Sequence, residues 1–418
     1  MKDFIVKLQN NLLFKKICYL GLIGFLFLYT FSIPAFSARP TWNIVSYFMM
    51  AALGGFTVIY TFLYTKYKFN KWLLIPCFFA LFAFVGTAIY SHEFRAWFTL
   101  ILMLITLFVF YYAFVAIENK RLIFKTISLA FFAFAVYFAY VYRDSIIHFS
   151  LTNSRLGGYF DNVNAIGFYF AVAFTISLYI SLFFKRKLEL LFLIPAIIFF
   201  AFGFLTGSRA FLLAAAAGAL LVIYYKLRKH KIIYFLSLVS LIAVFFVLIN
   251  IPTFAFLKDQ FERTLYTLFG IGNSKVDTST VQRFLWPQYG FYLGGRNLLF
   301  GYGANGFAIY SGVGTYAHNN YAEVICNFGI IGFILYHLCL ITPIILSIKM
   351  NREEELFLVV ILVAIYLVRN LFGVTYYSKE AYIIMSLCFF LTKDCKLPIF
   401  LHKNKEITDD FNNQEVSI

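Results

Sequence analysis

Apolar residues along this chain gather into long uninterrupted runs instead of alternating singly with polar ones. Runs long enough for the hydrocarbon core of a bilayer fall at about 17–36, 43–65, 72–90, 96–117, 122–142, 163–184, 188–206, 209–225, 232–250, 319–348, 356–372 and 380–392, the last of them short. None shows the period-two alternation of a strand, and in lipid only helices or closed barrels satisfy every backbone N–H and C=O. The pattern predicts an all-α polytopic bundle of about twelve transmembrane helices.

One interval breaks this rhythm. Residues 257–318 form a connection of about sixty residues, well beyond ordinary loops. Within and beside it Phe254, Leu257, Phe261, Leu265 and Leu268 recur at helical spacing, as do Val281, Phe284 and Leu285. That spacing predicts short amphipathic helices lying on the membrane surface. The last residues, Lys403 to Ile418, are polar and rich in Asn and Asp, and read as a frayed tail.

Composition agrees with the membrane reading. With 62% hydrophobic and 13% charged residues and a mean hydropathy of +0.81, the 418-residue chain has too little polar surface for soluble domains. The formal charge of +16 raises the question of nucleic acid, but 23 of the 35 Lys and Arg sit in short clusters between alternate apolar runs. Under the positive-inside rule this places both termini in the cytoplasm and the 257–318 loop outside, and it leaves no nucleic-acid face. Lys2, Lys7, Lys15 and Lys16 ahead of an apolar stretch ending near Ser37-Ala38 have the outline of a signal peptide. The run is long enough to span, and is read as an uncleaved first helix. The six cysteines include no C-x-x-C pair, and no motif calls for a metal or other cofactor.

Three arginines stand at span ends where a guanidinium is costly: Arg155, Arg209 and Arg283. Snorkelling to the interface accounts for an isolated one. Arg209 is harder to explain so, since it opens an Ala, Leu and Phe run with no acidic residue near it in sequence. The strongest local signal is Tyr316-Ala-His-Asn-Asn-Tyr-Ala-Glu-Val, where polar residues closing the long loop run straight into a helix. His318, Asn319, Asn320 and Glu323 fall at its N-terminal turns, where free N–H groups favour an anion such as phosphate; an ordinary Asn N-cap fits the same spacing. Glu323, five residues after His318, lies roughly 140° round an ideal helix and is not expected to orient the imidazole directly. Gly301-Tyr-Gly-Ala-Asn-Gly306 matches a dinucleotide fingerprint by letter only, because no strand precedes it, and its glycines are read as turn formers.

At these residues the chain resembles the O-antigen ligase and O-antigen polymerase superfamily of bacterial membrane glycosyltransferases. Four blocks carry the resemblance in order: Arg155-Leu-Gly-Gly-Tyr-Phe-Asp-Asn-Val-Asn-Ala165, Thr206-Gly-Ser-Arg-Ala210, Arg283-x-x-x-Pro287 with Gly301-Tyr-Gly-Ala-Asn-Gly-Phe307, and His318-Asn-Asn-Tyr-Ala-Glu-Val with Gly329-Ile-Ile-Gly332. Where the family commonly has Asn-Pro-Asn, this chain has Asn162-Val-Asn164. The resemblance implies a GT-C-like helical fold, an undecaprenyl-diphosphate-linked glycan as donor, and metal-independent inverting transfer to lipid A core or to a second lipid-linked glycan. It also implies phosphate-holding roles for Arg209 and Arg283, with Arg155 as a further substrate contact, and an acceptor-activating role for His318; Asn319, at the helix N-terminus, is read as a second substrate contact. The expected division is N-terminal transmembrane helices over 1–150, a catalytic region over 151–348, C-terminal transmembrane helices over 349–392 and a cytoplasmic tail over 393–418. A transporter or lipid-glycan flippase of similar size is the alternative of another class, but it would spread charges over several helices and show an internal repeat. No repeat is visible, and the polar signals concentrate in the second half.

Overall fold

The computed structural model describes residues 2–36, 40–65, 69–147, 156–160, 162–184, 186–251, 255–271 and 278–395. Arg155, the Ser37-Ala38 pair and the Lys403–Ile418 tail lie outside the described residues. All regular structure among the described residues is helical. The helices are α1 (Lys2–Asn10), α2 (Leu12–Phe36), α3 (Pro40–Tyr64), α4 (Leu74–Gly86), α5 (Phe94–Ile117), α6 (Lys120–Val141), α7 (Arg143–Ile147), α8 (Val163–Phe183) and α9 (Leu193–Leu205). They continue as α10 (Arg209–Leu227), α11 (Lys231–Asn250), α12 (Ala255–Phe269), α13 (Thr278–Arg296), α14 (Gly306–Tyr310), α15 (Asn320–Met350), α16 (Glu353–Asn370) and α17 (Lys379–Leu391).

Each of the twelve apolar runs is a helix, and nine helices among the described residues are long and apolar enough to cross a membrane. Of the three other runs, α11 is itself a 20-residue apolar helix, whereas α16 opens on Glu353, Glu354 and Glu355 and α17 has 13 residues. At 1.5 Å per residue α17 is about 20 Å long, less than the hydrocarbon core. It is nonetheless almost wholly buried, packed against α5 and α16, so the bundle and not the lipid surrounds it.

Bonds between helix ends establish two ends of the bundle. At the basic end Lys120 meets Glu354 at 2.9 Å and Glu355 at 3.3 Å, Tyr179 donates to Glu354 at 2.6 Å, Lys125 meets Glu189 at 2.7 Å, and Arg228 pairs with Glu353. At the opposite end, which carries the long loop, Asn164 and Ser208 bring the starts of α8 and α10 together at 3.2 Å, and Tyr321 donates to Leu367 O at 3.0 Å. α8 lies at the centre, with 78% of its span buried, apolar on every face as an enclosed helix must be. α10 approaches it through small residues: a Cβ on Gly218 would lie 2.2 Å from Thr175 Oγ1. Close approach of this kind is how helices gain contact where lipid offers no hydrophobic drive.

The long loop is more ordered than a surface excursion. α13 packs along α15 and α12 packs on α13, so the expected amphipathic helices are present but one side of them is docked on protein. The loop also enters α15. Gly329 has φ 61° and ψ −166°, which breaks the helix. The backbone groups freed there are taken by the loop: Tyr302 N donates to Cys326 O at 3.0 Å, Gly303 N to Asn327 O at 2.6 Å, and Ile330 N to Leu298 O at 2.7 Å. Irregular backbone at this depth is tolerated when protein satisfies it. Gly301, at φ +67°, leaves room for the contact, since a Cβ there would lie 2.4 Å from Phe328 N. The glycine motif thus supplies left-handed turns, as its reading in sequence holds, and a close backbone approach besides.

Candidate functional site

His318 occupies the last residue but one before α15, in a left-handed conformation at φ 57°. A non-glycine residue pays for that conformation and keeps it only when its surroundings impose it. Two constraints are present. Glu323 Oε2 accepts from Ala317 N at 2.6 Å, and Asn319 caps the helix, its side-chain oxygen accepting from Tyr321 N at 3.0 Å and Ala322 N at 3.1 Å. Glu323 therefore acts on the turn through its backbone and not on the imidazole. Asn319 also donates to Leu371 O at 3.5 Å, so its amide serves the protein at both ends, and capping is the role its geometry gives it.

The imidazole stacks on Trp286, with centroids 5.2 Å apart and planes 12° from parallel, and meets Tyr316 edge-on at 4.4 Å. Trp286 is on α13 three residues after Arg283, hence on the same helix face. That face brings Arg283 toward His318. The Arg283 guanidinium is partly buried, its Nε has no hydrogen-bond partner, and burial holds its pKa below the usual value.

Arg209 is the first residue of α10, capped by Ser208, whose hydroxyl accepts from Phe211 N at 3.2 Å. A cation there opposes the helix dipole. Its Nη1 donates to Arg263 O at 3.0 Å and to Thr267 Oγ1 at 2.6 Å, both on α12. The guanidinium, which has no acidic residue near it in sequence, is thus held in place by a carbonyl and a hydroxyl of α12. Burial, with Arg283 and Arg209 adding to it, pushes the His318 imidazole down to about 4. Two of the three arginines named from sequence therefore bear electrostatically on His318, while Arg155 lies outside the described residues.

His318 lines a cleft of about 390 Å³ at the loop end of the bundle, together with Asn162, Asn164, Tyr316, Arg369 and Glu380. Arg369 was not singled out from sequence. It closes α16, is 6% exposed, and its Nε and Nη1 have no hydrogen-bond partner. The segment after it, Leu371 to Ser378, is pinned by Asn320, whose side-chain oxygen accepts from Thr375 N at 2.8 Å and Tyr376 N at 3.0 Å. Two helix N-termini, two guanidinium groups beside a neutral imidazole, and a third guanidinium across the cleft make a strongly anion-attracting site.

A family model for O-Antigen ligase matches residues 194–337, a stretch from α9 into α15 that contains Arg209, Arg283 and His318 and stops before Arg369. No curated protein matches the chain. Residues 194–337, which hold the loop, the break in α15 and the histidine turn, are thus similar to the O-antigen ligase family, and the match supports a membrane enzyme of the ligase or polymerase type.

Proposed function

We propose that the chain transfers a glycan from undecaprenyl diphosphate to an acceptor hydroxyl at the outer face of the bacterial inner membrane, with lipid A core as the acceptor, in lipopolysaccharide or surface-polysaccharide synthesis. The observation that carries this reading is the electrostatic grouping of Arg209, Arg283 and a neutral His318 at one end of the bundle. In the proposed step the acceptor oxygen attacks the anomeric carbon as the bond from that carbon to the diphosphate oxygen breaks, with inversion. The proton of the hydroxyl passes to a ring nitrogen of His318, and the electron pair leaves with the diphosphate. Arg209 and Arg283 meet the charge that grows on the leaving group, the task of oriented cations in a site poor in water. With two guanidinium groups in that place, the leaving group needs no metal ion to balance it.

The test uses the purified full-length protein in liposomes with a lipid-diphosphate-linked glycan and lipid A core, following glycosylated product and released undecaprenyl diphosphate. Arg209→Ala and Arg283→Ala each lose a charge-assisted contact of about 2–4 kcal/mol, which slows transfer roughly 30- to 1000-fold. Lysine restores little, because it cannot present a planar fork. Wild-type rates in both folded alanine variants overturn the assignment. In a deletion strain, full-length polymer left on the carrier identifies a ligase, and single repeat units on the lipid core identify a polymerase.

A further inference from the structure

We infer that the cleft beside Arg369 is an acceptor subsite that reads a phosphate or diphosphate on the acceptor. This inference rests on the transferase reading above and adds the chemical class of its second substrate. The donor's charge is already met by Arg209 and Arg283, which lie with α12 and α13 on the long-loop side of His318, Arg209 through Arg263 O and Arg283 one turn before Trp286. Arg369 comes from α16 and lines the cleft that His318 also lines. Arg209 and Arg283 are not among the described residues that line that cleft. A third guanidinium standing apart from the first two fits a second anion.

Three features show that Arg369 is placed and not merely tolerated. Its guanidinium is 6% exposed with Nε and Nη1 unpaired, a costly arrangement for a charge unless a ligand completes it. Gly373 makes way for it: a Cβ at that position would lie 2.2 Å from Nη1. The Leu371–Ser378 segment that wraps it is tied to α15 by Asn320, two residues from His318. Of the charged side chains that line the cleft among the described residues, Lys379 and Glu380 sum to zero and Arg369 leaves one positive charge in excess. The Phe168 ring lies 5.8 Å from the guanidinium carbon and carries no formal charge.

The experiment measures steady-state transfer by full-length protein in liposomes at saturating donor. The acceptors are phosphorylated lipid A core, the same core treated with phosphatase, and a second lipid-diphosphate-linked glycan. Arg369→Gln is expected to raise KM for the anionic acceptor about 10- to 100-fold, as loss of a hydrogen bond to a charged group does, while donor KM stays within about twofold. Phosphatase-treated core should be used equally by both proteins. Gly373→Ala, which displaces the guanidinium while keeping its charge, should give a smaller shift of the same kind and serves if Arg369→Gln fails to fold. Sensitivity confined to the phosphorylated core identifies a core phosphate as the ligand, and sensitivity confined to the second lipid-linked glycan identifies its diphosphate. The inference is overturned if the loss is equal on phosphatase-treated core, or if donor KM moves instead. A wild-type protein that transfers to none of the three acceptors would instead refute the transferase reading.

Discussion

Acid titration separates the two roles open to His318, general base and cationic phosphate ligand. Burial, together with Arg283 and Arg209, sets its pKa at about 4. At pH 7 only about one imidazole in a thousand then carries a proton, and adding one costs roughly 4 kcal/mol at 1.36 kcal/mol per pH unit. A phosphate ligand would have to be charged against that cost. A base need only be neutral, and it is. The donor's diphosphate is a diester whose charges stay constant above about pH 3, so the donor itself does not titrate across the working range.

A base loses activity as pH falls through its pKa, so kcat/KM for the donor, which reports the free protein, should hold from pH 8 to about 5 and halve near 4. Once bound, the diphosphate offsets the two guanidinium charges that depress the imidazole. The acid limb of kcat, which reports the loaded protein, should accordingly lie at higher pH than that of kcat/KM. Initial rates in liposomes from pH 4 to 9 give both limbs, and size-exclusion profiles at each pH separate titration from unfolding. His318→Ala and His318→Gln should each lose about 10²- to 10⁴-fold, the usual worth of general base catalysis. A kcat/KM that falls as pH rises from 5.5 to 7.5 would refute the base assignment in favour of a cation. So would a folded His318→Ala that keeps more than about a tenth of wild-type turnover.

Gly329→Ala places a Cβ 2.5 Å from the Leu299 carbonyl at a φ of +61°, so the variant should fail to give a monodisperse size-exclusion peak, whereas Gly24→Ala, with nothing within 4 Å of its Cβ, should behave as wild type. Asn320→Ala leaves Thr375 N and Tyr376 N without the oxygen that binds them; at about 1–3 kcal/mol for each unpaired buried group, a clear drop in melting temperature in detergent is expected, and an unchanged one would show that Asn320 does not hold that segment. The proposed topology predicts active alkaline phosphatase fused near residue 275 and inactive enzyme fused near residue 228; the reverse would move the site to the cytoplasmic face.

Much of the architecture is legible because lipid leaves the backbone so few options. Every long apolar run had to close its hydrogen bonds internally, and all twelve are helices. The long loop was legible in outline, since the spacing of Phe261, Leu265 and Leu268 survives in α12 and that of Phe284 and Leu285 in α13. The break in α15 was not, because Gly329 sits in an apolar run whose composition is unchanged by the loop backbone that enters there. His318 could be found from its place between polar loop and helix. The acceptors of Arg209 could not, because they are a carbonyl and a hydroxyl of α12, more than fifty residues away. Arg369 escaped for a plainer reason: a cation in the last turn of a helix is favourable for the dipole and ordinary in sequence. Only its burial and its two unpaired nitrogens distinguish it.

Asn320, Glu323 and Asn327 explain how the site stays ordered beside lipid. At 100° per residue the three fall within about 60° of one another on α15, and each is at most 1% exposed. Each is bound to a different segment: Asn320 to Thr375 and Tyr376, Glu323 to Ala317, and Asn327 to Phe307 N at 2.7 Å. Asn327 also donates to Glu323 at 3.1 Å and to Tyr376 OH at 3.2 Å, which links the three contacts. Bonds made by a buried amide or carboxyl are costly to lose here, so each segment is held in the register that keeps them. The helix break strengthens the arrangement, since the 298–303 backbone that binds the opened turn at Gly329 leads directly to the residue bound by Asn327. The turn carrying His318, the loop behind it and the segment around Arg369 are therefore indexed to one nine-residue half-helix. A change in any of the three polar residues should be felt in all three segments, and their effects should not add.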